Sequence, residues 1–399
     1  MRILHLSKMP LLYPFGGAGK AERSVLFALA ARGHEIRAVT TSAGGLPLDV
    51  RDTDQITTTD FGRTIRRAGV VVDCIDRTSY AYSARWQTTF LTAVVNEYRP
   101  DLIVSSEDGD FAGSESLSFS WVRLALELAP DRFVYVAHAA ESLPFGELAM
   151  VSWAGPKYAE LLSRARLVVT PSAFMRAYVA RHVRAPLHLH YYDVYGAPSE
   201  LIDLTERPGD LVLHVNPSGV KGIDLTLGLA RARPDLGFLA VPTWATTPDD
   251  EARLRACANV ELAPPGPIDE LLRRACVLLT PSLWHEAFGL VTVEAMARGV
   301  PVIASAIGGL VEAKLGVPYS LPVTPISEYD GFDAARRSRP KVPQQDLDPW
   351  LAALDAVTRD RAHARDLRIR SREAATAFLG RLDIAPLEQA LLSAASCAS

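Results

Sequence analysis

The chain is poor in cysteine, with Cys74, Cys257, Cys276 and Cys397 scattered through 399 residues and no Cys-x-x-Cys pair. Thiols so far apart make neither a disulfide framework nor a zinc site, and they fit a reducing compartment. Long apolar runs are missing as well. No stretch reaches the roughly 18 apolar residues that a membrane span needs. The opening Met1-Arg2-Ile3-Leu4-His5-Leu6-Ser7 is too short for a signal-peptide core, so a cytoplasmic protein without membrane association is expected. Nor does one sign of charge dominate: 42 Lys and Arg against 46 Asp and Glu leave a formal net charge of -4, which excludes a bulk nucleic-acid binder. Basic runs at 63–67, 336–341 and 359–372 would suit an anionic surface, but acidic residues interleaved near the last one favour a solvated helix face. Nothing in the sequence indicates an oligomeric state.

What is present is an ordinary globular composition, 48% hydrophobic and 22% charged, in a chain long enough for two cores. Apolar runs of four to six residues alternate with helix-length segments, the pattern of parallel strands buried on both faces. Strands are expected at Ile3 to Leu6, Ile36 to Thr40, Val70 to Ile75, Leu102 to Ser105, Phe133 to Val136 and Leu167 to Thr170. In the second half they are expected at Leu211 to Val215, Phe238 to Val241, Val277 to Thr280 and Pro301 to Ala304. Helices are expected over Lys20 to Ala31, Ala84 to Tyr98, Ser172 to Val183 and Trp350 to Leu379, with 325–349 irregular. Turn formers at Tyr191 to Ser199 and Glu206 to Gly209 break the alternation. The class is therefore α/β with two doubly wound domains, 1–195 and 205–375. Ligands of such sheets bind at the carboxyl ends of the strands.

The most informative segment is Glu286-Ala-Phe-Gly-Leu-Val-Thr-Val-Glu294-Ala-Met-Ala-Arg-Gly-Val-Pro-Val-Ile-Ala-Ser305. It sets two carboxylates eight residues apart around a loop-to-helix turn, with Gly299 ending the helix. Backbone N–H groups of Gly289 and Leu290 at the helix start suit an anion. A carboxylate such as Glu294 can hold the vicinal diol of a ribose, and Glu286 would face a reacting sugar.

This segment resembles the retaining, GT-B-fold glycosyltransferases of family 4, which carry Glu-x-Phe-Gly-x-x-x-x-Glu-Ala-Met-Ala-x-Gly-x-Pro-Val-Ile-Ala. Every fixed position is met, and the likeness extends to Gly308-Gly309 and Thr280-Pro281-Ser282. It implies two Rossmann-like domains facing a central cleft, with acceptor on the first and sugar nucleotide on the second, and a C-terminal helix in 376–399 crossing back. It further implies transfer of a sugar from a nucleoside-diphosphate donor to a small-molecule hydroxyl with retention, needing neither metal nor cofactor. Phe288, Gly289, Leu290 and Glu294 would bind the sugar nucleotide, and Glu286 would position the sugar. Lys221, in His214-Val-Asn-Pro-Ser-Gly-Val-Lys221-Gly222, is placed as the phosphate lysine, and His138, at the end of a strand, as the residue touching the sugar. The family's arginine five residues before that lysine is Asn216 here, so one positive charge is missing: Asn216 would bind the sugar nucleotide by neutral hydrogen bonds, or Lys20 would supply the cation, or the activity is altered. Two alternatives stay open: a GT-B sugar-nucleotide epimerase, and a non-catalytic sugar-nucleotide binder that activates a partner.

Two tempting motifs fail. Pro14-Phe-Gly16-Gly17-Ala-Gly19-Lys20-Ala-Glu22 mimics a phosphate loop, but Pro14 and Ala21 stand where that motif needs glycine and Ser or Thr. The family resemblance instead gives Gly16 and Gly17 a turn near donor phosphate or acceptor. Glu107-Asp108-Gly109-Asp110 contains an Asp-x-Asp of the kind that binds metal in other glycosyltransferases, yet it lies in the first domain, away from every nucleotide signal.

Overall fold

The structure, a computed structural model, describes residues 1–8, 10–12, 16–42, 49–76, 83–106, 120–150, 155–332 and 338–396. These form two compact units, Met1–Val194 with Asp383–Ser399, and Tyr195–Leu382.

In the first unit the order is β1 (Arg2–Leu6), α1 (Gly17–Ala31), β2 (Glu35–Thr41), β3 (Gln55–Thr59), β4 (Gly62–Arg67), β5 (Val70–Ile75) and α2 (Ala84–Tyr98). It continues with β6 (Leu102–Ser106), α3 (Trp121–Leu128), β7 (Phe133–Val136), α4 (Gly155–Leu162), β8 (Leu167–Thr170), α5 (Ala173–Ala180) and β9 (Leu187–Leu189). The nine strands make one sheet in the order β3-β4-β5-β2-β1-β6-β7-β8-β9. Pairing is parallel except for β3 with β4 and β4 with β5. The ten apolar runs expected as strands are all strands of the two sheets, while the short parallel edge strands β9, β12 (Val260–Leu262) and β15 (Ser320–Leu321) were not expected. The β3–β4 hairpin is not among the expected strands either, because Gln-Ile-Thr-Thr-Thr lies exposed at the sheet edge and has no apolar run to announce it.

The second unit runs β10 (Leu211–Val215), α6 (Ile223–Ala232), β11 (Phe238–Val241), α7 (Pro248–Arg255), β12 (Val260–Leu262), α8 (Ile268–Arg273), β13 (Ala275–Thr280), α9 (Leu290–Ala297) and β14 (Val302–Ser305). Next come α10 (Leu310–Ala313), β15 (Ser320–Leu321), β16 (Tyr329–Phe332), β17 (Ser338–Pro340), α11 (Asp348–Arg359) and α12 (Arg361–Leu379). Its six-stranded sheet is ordered β12-β11-β10-β13-β14-β15, all parallel. The chain winds outward from β10 to β12, then returns to β13 and winds the other way. The switch point is therefore between β10 and β13, the place where sheets of this kind bind ligands at the strand carboxyl ends. The helix expected over Trp350 to Leu379 is two helices. Asp360 is extended (φ -96°, ψ 99°) and caps α12 by accepting the His363 N–H at 3.0 Å, which breaks the continuity that the apolar spacing alone suggests.

A last helix, α13 (Ala385–Ser396), lies on the first unit's sheet, where Leu387, Leu391 and Ala394 join a buried cluster with Ile3, Leu26, Leu29 and Val134. Glu388 on α13 accepts from Arg32 and from His34 Nε2, both at 2.7 Å, just after α1. Among the described residues no helix is long and apolar enough to cross a membrane. Several arginines of the basic runs are engaged in ion pairs: Arg67 with Asp54, Arg365 with Glu206 and Arg372 with Asp203.

Candidate functional site

At the switch point of the second unit, three loops leave the carboxyl ends of β10, β13 and β14 and pack backbone on backbone. Glycine makes this approach feasible. A Cβ on Gly222 would stand 1.9 Å from the Pro281 carbonyl oxygen, and φ there is +72°. A Cβ on Gly308 would stand 2.7 Å from the Glu286 carbonyl oxygen, which accepts the Gly309 N–H at 2.7 Å. These contacts clamp the loop from Pro281 to Phe288 between its neighbours.

The clamp brings Lys221 and Glu286 together. Lys221 Nζ donates to Glu286 Oε1, and the Ser282 hydroxyl donates to the same oxygen at 2.5 Å. Burial alone would raise the Glu286 carboxyl, but the Lys221 charge and the two hydrogen bonds outweigh it and hold the group below the usual glutamate range. The Lys221 ammonium also lies 4.3 Å from the Trp284 ring centroid and 6.0 Å from that of Trp244, and the two indoles are 5.9 Å apart. Beneath it, His214 is fully enclosed, with Nδ1 2.8 Å from the Thr226 hydroxyl. Burial first, and the Lys221 charge second, push His214 down to about 3, so the imidazole is neutral and Lys221 is the cation.

Asn216 follows β10 directly in the left-handed region (φ +65°), with its N–H bonded to the Val241 oxygen at 2.8 Å. Its side-chain oxygen accepts the Ala245 N–H at 3.1 Å. Asparagine tolerates this backbone conformation better than most residues. The residue standing where the family carries an arginine thus holds the loop after β11 in place.

Gly289 is the N-cap of α9 with φ +105°, and a Cβ there would strike Leu310 at 2.5 Å. Leu290 opens the helix, and Glu294, half-way along it, is 8% exposed, too enclosed for a freely solvated face. Phe288 is a packing residue: its ring is buried and stacks on Phe378 at 5.8 Å, so any contact with a ligand falls to its backbone.

In the first unit, Gly16 caps α1 with φ +101° and Gly17 begins it; both are exposed. His138, two residues beyond β7, does not stand alone. Its Nε2 is 2.8 Å from Glu22 Oε1, and the other Glu22 oxygen is 3.1 Å from His5 Nε2. Glu22 lies on α1 and His5 on β1, both buried. Burial would raise the Glu22 carboxyl, but the charge of His5 and hydrogen bonds from His138 and His5 hold it well below the usual carboxylate range. Among the described residues His5 Nδ1 is buried without a hydrogen-bond partner.

Sequence reasoning singled out His138, Lys221 and Glu286 but missed Glu22, His5, Trp244 and Trp284. His5 had a readable signal, a lone imidazole in an apolar run that a parallel sheet buries on both faces. Trp244 had none, since nothing in the spacing links it to Lys221. Asp108 and Asp110 lie outside the described residues; among the described ones, no group of three or more His, Cys, Asp or Glu side chains could hold a metal ion.

Comparisons with known proteins bear on the fold and the family resemblance. Residues 15–191 match the family model for Glycosyltransferase Family 4, and residues 254–313 match that for Glycosyl transferases group 1. Sucrose-phosphate synthase from Thermosynechococcus elongatus superposes with a TM-score of 0.69 at 19% identity, covering 100% of both chains. HepE from Anabaena, solved with UDP and glucose, gives 0.66 at 16% identity over 99% of both. The fold is GT-B, and the chain resembles glycosyltransferase family 4. At these identities the structural likeness is one of fold. The D-inositol 3-phosphate glycosyltransferase of Mycobacterium bovis is 32% identical over 165 residues, which are 41% of this GT-B chain and 27% of that protein. A 42.6 kDa protein in the cps region of Klebsiella pneumoniae is 28% identical over 112 residues, or 28% and 30% of the two chains. The chain thus spans less than a third of the length of these relatives.

Proposed function

We propose that the protein is a retaining glycosyltransferase that moves a sugar from a nucleoside-diphosphate donor to a hydroxyl of a small-molecule acceptor, without metal or cofactor, in the cytoplasm. The observation that supports this best is the Lys221–Glu286 pair at the switch point of the second unit's sheet. An ammonium has three N–H donors; one is directed to Glu286, and the others suit the oxygens of a leaving diphosphate. Glu294 on α9 holds the ribose diol, Gly289 and Leu290 offer N–H groups at the helix start, Glu286 orients the sugar, and His138 touches it. Gly16 and Gly17 receive donor phosphate or acceptor. No carboxylate is assigned as an enzyme nucleophile, so attack proceeds on the face from which the nucleotide departs. The bond from the anomeric carbon to the diphosphate oxygen breaks, the acceptor oxygen bonds to that carbon, and the leaving phosphate takes the acceptor proton.

The test is a panel of sugar nucleotides screened by thermal stabilisation, beginning with UDP-glucose because HepE has been solved in complex with it. Transfer assays and NMR of the product's anomeric proton follow. Inversion at that carbon, or no donor that binds, would overturn the proposal. One observation favours a non-catalytic binder as a second reading: Asn216 supplies a structural hydrogen bond where the family has a cation. A donor that stabilises the protein but is never consumed would support that reading.

A further inference from the structure

Trp244 has no part in the functional reading, yet it stands beside the cation on which that reading rests. It is a large apolar side chain, 58% exposed, in the loop between β11 and α7. A single exposed apolar residue is ordinary on a protein surface and makes no site by itself. Two further observations set this one apart.

The first is that its loop is pinned. The Thr246 N–H bonds the Thr243 carbonyl oxygen at 3.2 Å, and the Thr243 N–H bonds the Thr246 hydroxyl at 3.2 Å, so Trp244 sits at the first corner of a tight turn. From below, the Asn216 side-chain oxygen accepts the Ala245 N–H at 3.1 Å and the Thr246 hydroxyl at 3.4 Å. Ala245 and Thr246 are buried, and Thr247 caps α7 through a reciprocal pair of bonds with Asp250. An indole on a mobile loop would lose freedom on meeting a ligand, whereas one carried on a pinned turn has little left to lose. The residue that replaces the family's cation thus fixes the turn that carries an exposed aromatic ring.

The second is its place beside the proposed phosphate cation. β11, β10 and β13 are neighbours in the sheet, and Trp244, Lys221 and Glu286 follow their carboxyl ends in that order. Trp284, with its centroid 4.3 Å from the Lys221 ammonium, is in close cation–π contact, while Trp244 at 6.0 Å is at the limit of such contact. Shielding the ammonium therefore falls to Trp284 and does not account for Trp244. A diphosphate held at Lys221 carries two substituents. Glu286, on the β13 side, is proposed for the sugar; Trp244 is on the β11 side, within a nucleoside's reach of the ammonium. The nucleobase is the flat aromatic part of such a donor, and every base has a face on which an indole can stack.

We propose that Trp244 is a binding residue that stacks on the nucleobase of the donor, so that affinity lost with the family's arginine at position 216 is supplied here by an aromatic ring. This rests on the proposed role of Lys221 at the diphosphate.

Calorimetry with UDP, ADP, GDP and inorganic pyrophosphate tests it on the wild-type protein, Trp244→Ala and Trp244→Phe. In Trp244→Ala the nucleoside diphosphate that binds the wild type should lose roughly tenfold or more in affinity, while pyrophosphate, which has no ring to stack, should stay within about twofold. Trp244→Phe should recover much of the loss. The same nucleotide should quench tryptophan fluorescence in the wild type and quench it less in Trp244→Phe. Equal losses for nucleotide and pyrophosphate in a folded Trp244→Ala protein would show that the indole acts on Lys221 alone and would overturn the proposal. Unchanged nucleotide affinity in that variant, or no binding of any of the three nucleotides by the wild type, would overturn it too. Lys221→Ala separates this from the reading beneath it: if that variant keeps full nucleotide affinity, Lys221 is not the phosphate cation, while the nucleotide loss in Trp244→Ala still decides whether the indole stacks on the base.

Discussion

Lys221 donates to the Glu286 oxygen that also accepts the Ser282 hydroxyl, so the proposed phosphate cation and the proposed sugar carboxylate are one hydrogen-bonded unit. Without Glu286 the Lys221 ammonium keeps its charge and all three N–H donors for a diphosphate. Glu294, eight residues on and inside α9, is not part of that pair.

This arrangement predicts that the two glutamates separate by effect. Glu294→Ala should weaken bare nucleoside diphosphate and donor alike, by about 1.5–3 kcal/mol for a lost charged hydrogen-bond partner. Glu286→Ala should leave bare nucleotide binding close to wild type while lowering turnover, since its contacts matter most as the anomeric carbon moves. Calorimetry with the nucleotide beside transfer kinetics checks this. Equal binding losses from both, or none from either, would contradict the division of roles.

Asn216→Arg should not restore a useful cation. The side-chain oxygen that accepts the Ala245 N–H would be lost, and the longer chain would have to fit a position 6% exposed with φ at +65°. We expect a lower Tm and no gain in nucleoside-diphosphate affinity. A clear gain by titration would show that the loop tolerates the family residue.

Gly222→Ala should cost more than an ordinary loop substitution. The new methyl would meet the Pro281 carbonyl, and the left-handed backbone adds about 1–2 kcal/mol. Because Gly222 adjoins Lys221 and Pro281 leads into the Glu286 loop, donor affinity should fall together with Tm. Unchanged denaturation and donor titrations would contradict the clamp.

Lys314 is 1% exposed, bonds the Val302 carbonyl oxygen, and is pushed down by burial to about 7. Its ordinary value is 10.5, so between those limits the unfolded chain binds a proton that the folded chain releases. Stability contributed by this residue therefore rises with pH from about 7 toward 10.5, by an amount on the order of a few kcal/mol. Lys314→Met should flatten that slope in denaturant titrations at a series of pH values. An unaltered slope would rule the lysine out as its source.

On the proposed roles, in which Lys221 and helix-start N–H groups would offset the diphosphate charge, a chelator should leave transfer unaffected. Activity abolished by chelation and restored by manganese would return Asp108 and Asp110 to consideration.

Much of this was legible in the residues. Each apolar run expected as a strand is a strand with at least one parallel neighbour, because burial on both faces leaves no polar alternation to blur it. The local geometry of the candidate site was legible where the chain itself brings groups together, as where Gly289 caps α9, Leu290 opens it and Glu294 follows inside it. The bond between Lys221 and Glu286 is sixty-five residues long in sequence and depends on β10 lying beside β13, which no local pattern records. Asn216 read as a lost charge; only the fold shows its oxygen holding Ala245. Glu22 looked like one more polar residue near a helix start, since His5 approaches it from β1 and His138 from the segment after β7, which spacing cannot place together.

The docking of α13 on the first unit has a bearing on biosynthesis. Leu387 and Leu391 share a core with Ile3 and Leu26, although more than 350 residues separate them. A chain emerging from the ribosome builds the nine-stranded sheet early, yet the apolar face between α1 and that sheet stays uncovered until the last helix is translated. The second unit, by contrast, is complete by Leu382 and can settle first. The half of the protein made first is therefore the half finished last, and a nascent chain stalled before residue 385 would display an apolar surface of the kind chaperones bind.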